Sequence, residues 1–122
     1  MTKKEVAKTY LERLAAGDIA AIIALFAPDG KVQSPIYGLQ SAQNFYRELA
    51  ADTRESRLEL LGIFETSQDN RLALYFNYHW LMANGEEVHF EVVDILQFNA
   101  QNQIEELRII YDTAQARKKL ES

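Results

Sequence analysis

The chain has no cysteine, two prolines, two histidines and one tryptophan among its 122 residues. Without cysteine there is no disulfide scaffold, no thiolate nucleophile and no cysteine-based zinc site. Two histidines would leave a zinc ion dependent on carboxylates for most of its ligands, so no metal is expected. Basic residues are also in short supply: 13 Lys and Arg stand against 18 Asp and Glu, a net charge of −5. That balance excludes the basic stripe with which nucleic-acid binders displace counterions from phosphates. Long apolar runs are missing. The longest, Ile19 to Ala27, has nine residues, against the roughly 20 that span a bilayer. The opening MTKKEVAKTYLERL has no apolar signal-peptide core. A soluble, cytoplasmic protein that binds neither nucleic acid nor membrane is therefore expected. What the chain does have is 48% hydrophobic residues, enough for one ordinary core, and residues 1–122 read as a single domain.

From Thr2 to Ala16 the apolar residues Val6, Tyr10 and Leu14, with Ala7 and Leu11 beside them, recur at helical spacing. Gly17 is placed to end that helix, and Asp18 to cap a second with Ile19, Ile22, Ile23 and Phe26 on its buried side. Pro28-Asp29-Gly30 reads as a turn, Lys31 to Ser34 as a short strand, and Ser41 as the cap of a third helix ending near Asp52. The pattern then switches to period two. Strands are predicted over 57–65, 71–83, 86–98 and 103–111, with a helical turn or two in a solvated tail. Helices followed by a run of strands predict an α+β fold, three helices packed on a curved antiparallel sheet.

Asn84-Gly85 is a strong two-residue hairpin signal, and it predicts a register in which Ala83 faces Glu86. One face then carries Tyr75, Asn77, His79, Phe90, Val92 and Asp94. The other carries Phe76, Tyr78, Trp80 and His89. Helices can cover only one face. The row Phe76, Tyr78, Trp80 would need a partner subunit, so a homodimer through that face is expected; the alternative is that the C-terminal tail folds over it.

On the first face Asp94 is an acid in an otherwise apolar row, costly to bury as a charge. It either sits neutral as a donor or serves as a structural acid bonded to Tyr75 or Tyr10. His79 is read either as a hydrogen-bonded core histidine or as a proton carrier. Ser34 has no serine-hydrolase context, and His79 and His89 on opposite faces could not share a metal. Arg108 has outward parity, which argues against an Asp-Arg-Asp water-activating site.

The stretch from Tyr10 through Gly17-Asp18 to Leu25-Phe26, then Ser34-Pro35, Asn44-Phe45-Tyr46 and Asp94-Ile-Leu-Gln-Phe98-Asn99, resembles the NTF2-like superfamily. Within it, the similarity is greatest to the ketosteroid isomerases and SnoaL-like proteins. The resemblance implies a cone-shaped (cystatin-like) barrel with an apolar pocket at its open end. It also implies roles: Tyr10 and a protonated Asp94 as the two donors to an enolate oxygen, and Tyr46 as the support of Tyr10. Where the isomerases place their aspartate base, this chain has Ser34, whose hydroxyl is far too weak a base to take a proton from carbon.

The expectation is an isomerase or lyase of the cyclase or dehydratase type, not an ordinary ketosteroid isomerase. It would act on a small hydrophobic carbonyl compound without a cofactor. Tyr10, Asp94 and His79 would be catalytic, and Ser34, Tyr46, Tyr75, Asn77, Phe90, Val92 and Tyr111 would line the pocket. The alternative is a non-catalytic small-molecule-binding or dimerisation module of the same fold.

Overall fold

The computed structural model describes residues 1–121. Helix α1 (Lys3–Ala16) opens on a capping box, in which Thr2 Oγ1 accepts from Glu5 N–H and Glu5 accepts from Thr2 N–H. It closes at Gly17, whose φ of +69° suits a residue without Cβ. Asp18 caps α2 (Ile19–Ile23) through Ala21 N–H, and Ser41 caps α3 (Ala42–Ala51) through Asn44 N–H.

The strands are β1 (Phe26–Ser34), β2 (Gly38–Ser41), β3 (Thr53–Glu65), β4 (Arg71–Met82), β5 (Glu87–Phe98) and β6 (Ile104–Ile110). They form one open sheet in the order β2-β1-β6-β5-β4-β3. All neighbours run antiparallel except β1 and β6, which pair parallel. A fourth short helix, α4 (Ala114–Leu120), follows β6.

Besides β2, which the sequence pattern did not predict, and Phe26, which opens β1 instead of lying on α2, three elements differ from the expectation. Pro28-Asp29-Gly30 is not a turn but part of β1, where the pairing with β6 breaks register between Phe26 and Lys31. An irregular strand tolerates proline there because no ladder bond is asked of it. The tail is helical as expected but not fully solvated, since Ala116 is buried and Leu120 packs on the core. The third difference is the hairpin, and it matters most. Met82 N–H donates to Glu86 O and Gly85 N–H to Met82 O. The connection is therefore three residues, Ala83-Asn84-Gly85, with Gly85 at φ +88°. Asn84 Oδ1 accepts from Glu86 N–H and holds that shape. A three-residue loop ending in a left-handed glycine is the other common hairpin closure, and it slips the register by one.

Phe76 consequently faces Val92, Tyr78 faces Phe90, Trp80 faces Val88 and Leu74 faces Asp94. These residues form the concave face. With Leu72, Met82, Leu96 and Phe98 they bury against α1 and α3 in one core. Phe76, Tyr78 and Trp80 are thus covered by the chain itself, so this row, on which the expected homodimer was based, does not need a partner subunit to cover it. Tyr75, Asn77 and His79 lie on the convex side, alongside His89 and Glu91.

Gly85→Val tests the loop, because a β-branched residue at φ +88° costs roughly 1–2 kcal/mol. The expected result is a lower denaturant midpoint with an unchanged m value.

Candidate functional site

Between α1, α3 and the concave sheet face lies a cavity of about 40 Å³. At that size it admits water-sized groups until its mouth opens. The helices contribute Tyr10 and Leu14 from α1 and Phe45 and Leu49 from α3. The sheet contributes Ser34, Phe76, Tyr78, Trp80, Phe90, Val92, Asp94 and Ile109, and Tyr37 and Tyr111 flank it. Rings dominate the wall. Tyr111 stacks on Phe90 at 4.2 Å and 13°, and Phe90 on Tyr78 at 5.6 Å and 16°. Such offset stacks fix ring positions across three neighbouring elements.

Polar atoms are few. Tyr10 and Tyr46, both buried, share a hydrogen bond of 2.6 Å between their hydroxyls. Tyr46 stands behind Tyr10, edge-on to Phe45 at 4.7 Å. If Tyr46 donates to Tyr10, the Tyr10 proton is free for a ligand in the cavity. Burial pushes both phenols well above their usual range, and proximity to Asp94 pushes them further. Asp94 is 1% exposed, and its Oδ1 is buried with no hydrogen-bond partner. Burial drives its carboxyl well above the usual carboxylate range and so favours the protonated form. It is bonded to neither Tyr75 nor Tyr10, so the structural-acid reading does not hold. Tyr78 shares a 2.8 Å bond with Ser56 Oγ, and burial lifts its phenol to about 12.

Of the residues singled out from the sequence, Tyr10, Ser34, Phe90, Val92, Asp94 and Tyr111 line the cavity, and Tyr46 supports Tyr10. Three do not belong to it. Tyr75 reaches Glu91, Asn77 Nδ2 donates to Glu59 Oε1 at 2.8 Å, and His79 stacks on His89 at 5.8 Å, with Glu87 3.8 Å away. All three point away from the cavity because the hairpin loop has one residue more than expected. His79 therefore cannot move a proton there, and the two histidines share a face after all. Arg108 is exposed as anticipated and donates to Gln33 Oε1 at 3.0 Å.

Ser34 Oγ accepts from the N–H groups of Ile36 and Tyr37 at 3.2 and 3.3 Å, folding the turn around Pro35. Sequence reasoning missed Tyr37, whose hydroxyl donates to Asp52 Oδ2 at 2.5 Å. Nothing periodic marks a tyrosine in a three-residue turn. Its only signal was the Ser-Pro pair before it. Helix α4 is anchored to the turn after β1, to β5 and to the hairpin loop. Arg117 donates to the carbonyl of Pro35, Lys119 to that of Glu87, and Asn84 Nδ2 to Lys119 O at 3.0 Å. Among the described residues no cluster of three metal-ligating side chains occurs, and no helix is long and apolar enough to cross a membrane.

An open six-stranded curved sheet over helices, with a buried acid and a paired tyrosine in its pocket, defines an NTF2-like protein. The chain matches the SnoaL-like domain over residues 7–107 and belongs to that family. Its fold is shared with an NTF2-like protein of unknown function from Burkholderia pseudomallei, at 18% identity and TM-score 0.82 over 97% of each chain. TerC, crystallised with polyporic acid, is similar at 15% identity and TM-score 0.82 over 98% of each chain. SalBIII, an epoxide hydrolase/cyclase-like enzyme of pyran ring formation in salinomycin, is similar at 15% and 0.77 over 90% of each. At these identities the likeness establishes the fold.

The protonation of Asp94 has a measurable sign. Its native pKa is raised above the unfolded value of about 3.9, so the native state keeps a proton that the unfolded chain releases. That contribution to stability is complete below about pH 4 and is lost as pH rises toward the native pKa. Relative to Asp94→Asn, the wild-type protein is expected to lose up to about 1.4 kcal/mol per pH unit above pH 4. Denaturant titrations of both proteins between pH 4 and 7 check this, and parallel stability curves would refute it.

Proposed function

We propose that the pocket binds a small hydrophobic carbonyl compound and stabilises negative charge on its oxygen. Tyr10 and protonated Asp94 are the two donors. The observation that carries this reading is the buried Asp94 Oδ1 with no partner, in an aromatic cavity that also holds the Tyr10–Tyr46 pair. Two preorganised donors in a dry site are worth far more to a developing oxyanion than the same donors in water. No reorganisation is needed at the moment of reaction, because Tyr46 already fixes the Tyr10 hydroxyl.

The family and its structural neighbours support chemistry on small organic molecules. SalBIII is an enzyme of ring formation and TerC was crystallised with a small molecule. An enolate-forming isomerase, cyclase or dehydratase is the reaction class that this donor pair suits. One observation favours a second reading, a non-catalytic binding pocket: no lysine, arginine or histidine lines the cavity. The two readings part on whether any proton is taken from carbon.

A phenol that ionises near neutral pH mimics the enolate. Titration with 4-nitrophenol at pH 7 is expected to give micromolar binding with the bound form shifted toward phenolate in the absorption spectrum. Tyr10→Phe and Asp94→Ala should each weaken binding by about 10- to 100-fold, the worth of one hydrogen bond to a charged acceptor. Equal affinity in both variants would sink the proposal.

A further inference from the structure

We propose that Asp52, acting through the phenol of Tyr37, is the proton acceptor of this pocket. The inference rests on the carbonyl-polarising reading above and supplies the base that it lacks. Of the other titratable groups lining the cavity, Asp94 is a donor, Tyr10 is engaged with Tyr46, Tyr78 with Ser56, and the Tyr111 ring is stacked on Phe90. Tyr37 alone among the described lining residues has a carboxylate behind it. Its 2.5 Å bond to Asp52 Oδ2 has the length of a hydroxyl donating to a charged oxygen.

Both partners are held by groups that do not belong to the pair. Tyr37 N–H is bound by Ser34 Oγ, its carbonyl accepts from Gln40 Nε2 at 3.0 Å, and its ring sits edge-on to Phe45 at 5.7 Å. Asp52 ends α3, with its N–H on Glu48 O at 3.1 Å and its carbonyl accepting from Ala83 N–H at 2.9 Å. Ser34, which stands where the isomerases carry their base, thus orients the residue that takes over the task.

The chemistry is a relay, not a stored phenolate. Burial and the neighbouring carboxylate both hold the Tyr37 phenol protonated. In the proton-transfer step, Tyr37 Oη takes the proton from the carbon beside the carbonyl while its own proton passes to Asp52 Oδ2. The C–H electron pair moves into the carbonyl, and the enolate oxygen is met by Tyr10 and Asp94. Reversal of the relay onto another carbon returns both protons, so no co-reactant is consumed. Tyr37 is the catalytic residue of this pair. Asp52 acts through it.

The test uses 5-nitrobenzisoxazole, whose ring opens to a coloured phenolate when a base removes its C–H proton and the N–O bond breaks. The wild-type protein should accelerate the opening beyond acetate at the same concentration. Tyr37→Phe and Asp52→Asn should each lower kcat/KM by about 100-fold or more, the usual worth of a positioned base. Asp52→Glu, which keeps a carboxylate behind the phenol, should restore part of the rate. The 4-nitrophenol affinity should stay within about twofold of wild type in all three, showing that the fold and the donor pair are intact. Wild-type rates no better than acetate, unchanged rates in either variant, or a loss of rate that only tracks a loss of phenol affinity would each overturn the relay. Failure of the donor pair itself shows separately, in the phenol titration of Tyr10→Phe and Asp94→Ala.

Discussion

The register between β4 and β5 is the constraint on which the pocket depends. Directly opposed residues of an antiparallel pair share a face, so the length of the Met82–Glu86 connection decides which side of β5 meets the helices. With three residues in the loop, Val88, Phe90, Val92, Asp94 and Leu96 turn inward with Phe76, Tyr78 and Trp80. Asp94 is then enclosed by apolar neighbours instead of facing water, and its altered acidity follows from that placement alone. The aromatic stacks of Tyr78, Phe90 and Tyr111 are likewise products of the register, since they join residues of β4 and β5 to the end of β6.

Within the cavity the hydroxyl-bearing groups divide by what stands behind them. Tyr10 is backed by another phenol, Tyr46, which can donate to it and leave its proton for a ligand. Tyr37 is backed by a carboxylate, which can only draw one away. The same side-chain type thus gives the pocket a donating side and an accepting side, and neither needs a cation. This suits a dry site, because an unpaired ammonium or guanidinium there would carry a desolvation cost that phenols do not.

Much of this was legible in the chain before folding. The helices announce themselves by period and caps, and Asp18 and Ser41 do in space what their positions suggest. Tyr10, Tyr46 and Asp94 were recognisable from the family resemblance, and they converge. The failures have definite physical sources. Asn84-Gly85 fits two loop lengths, and the choice between them is made by the apolar row on β4, which the helices must cover. Choosing the shorter loop sent Tyr75, Asn77 and His79 inward on paper and outward in fact. The Tyr37–Asp52 pair joins a turn to a helix end 15 positions away. No periodicity connects such sites, so only the folded chain brings them together. The aromatic row was seen correctly as something that must be covered. The chain's own helices do the covering, where a second subunit had been expected.

The attachments of α4 have an evolutionary side. Arg117 and Lys119 grip the carbonyl oxygens of Pro35 and Glu87, atoms that every amino acid supplies. Substitution at positions 35 and 87 can therefore change the surface there while α4 keeps both of these attachments. A family that hosts many ligands on one scaffold gains from such an arrangement. The surface around α4 is free to drift in shape and polarity, and the helix stays tied to the part of the chain that does not mutate.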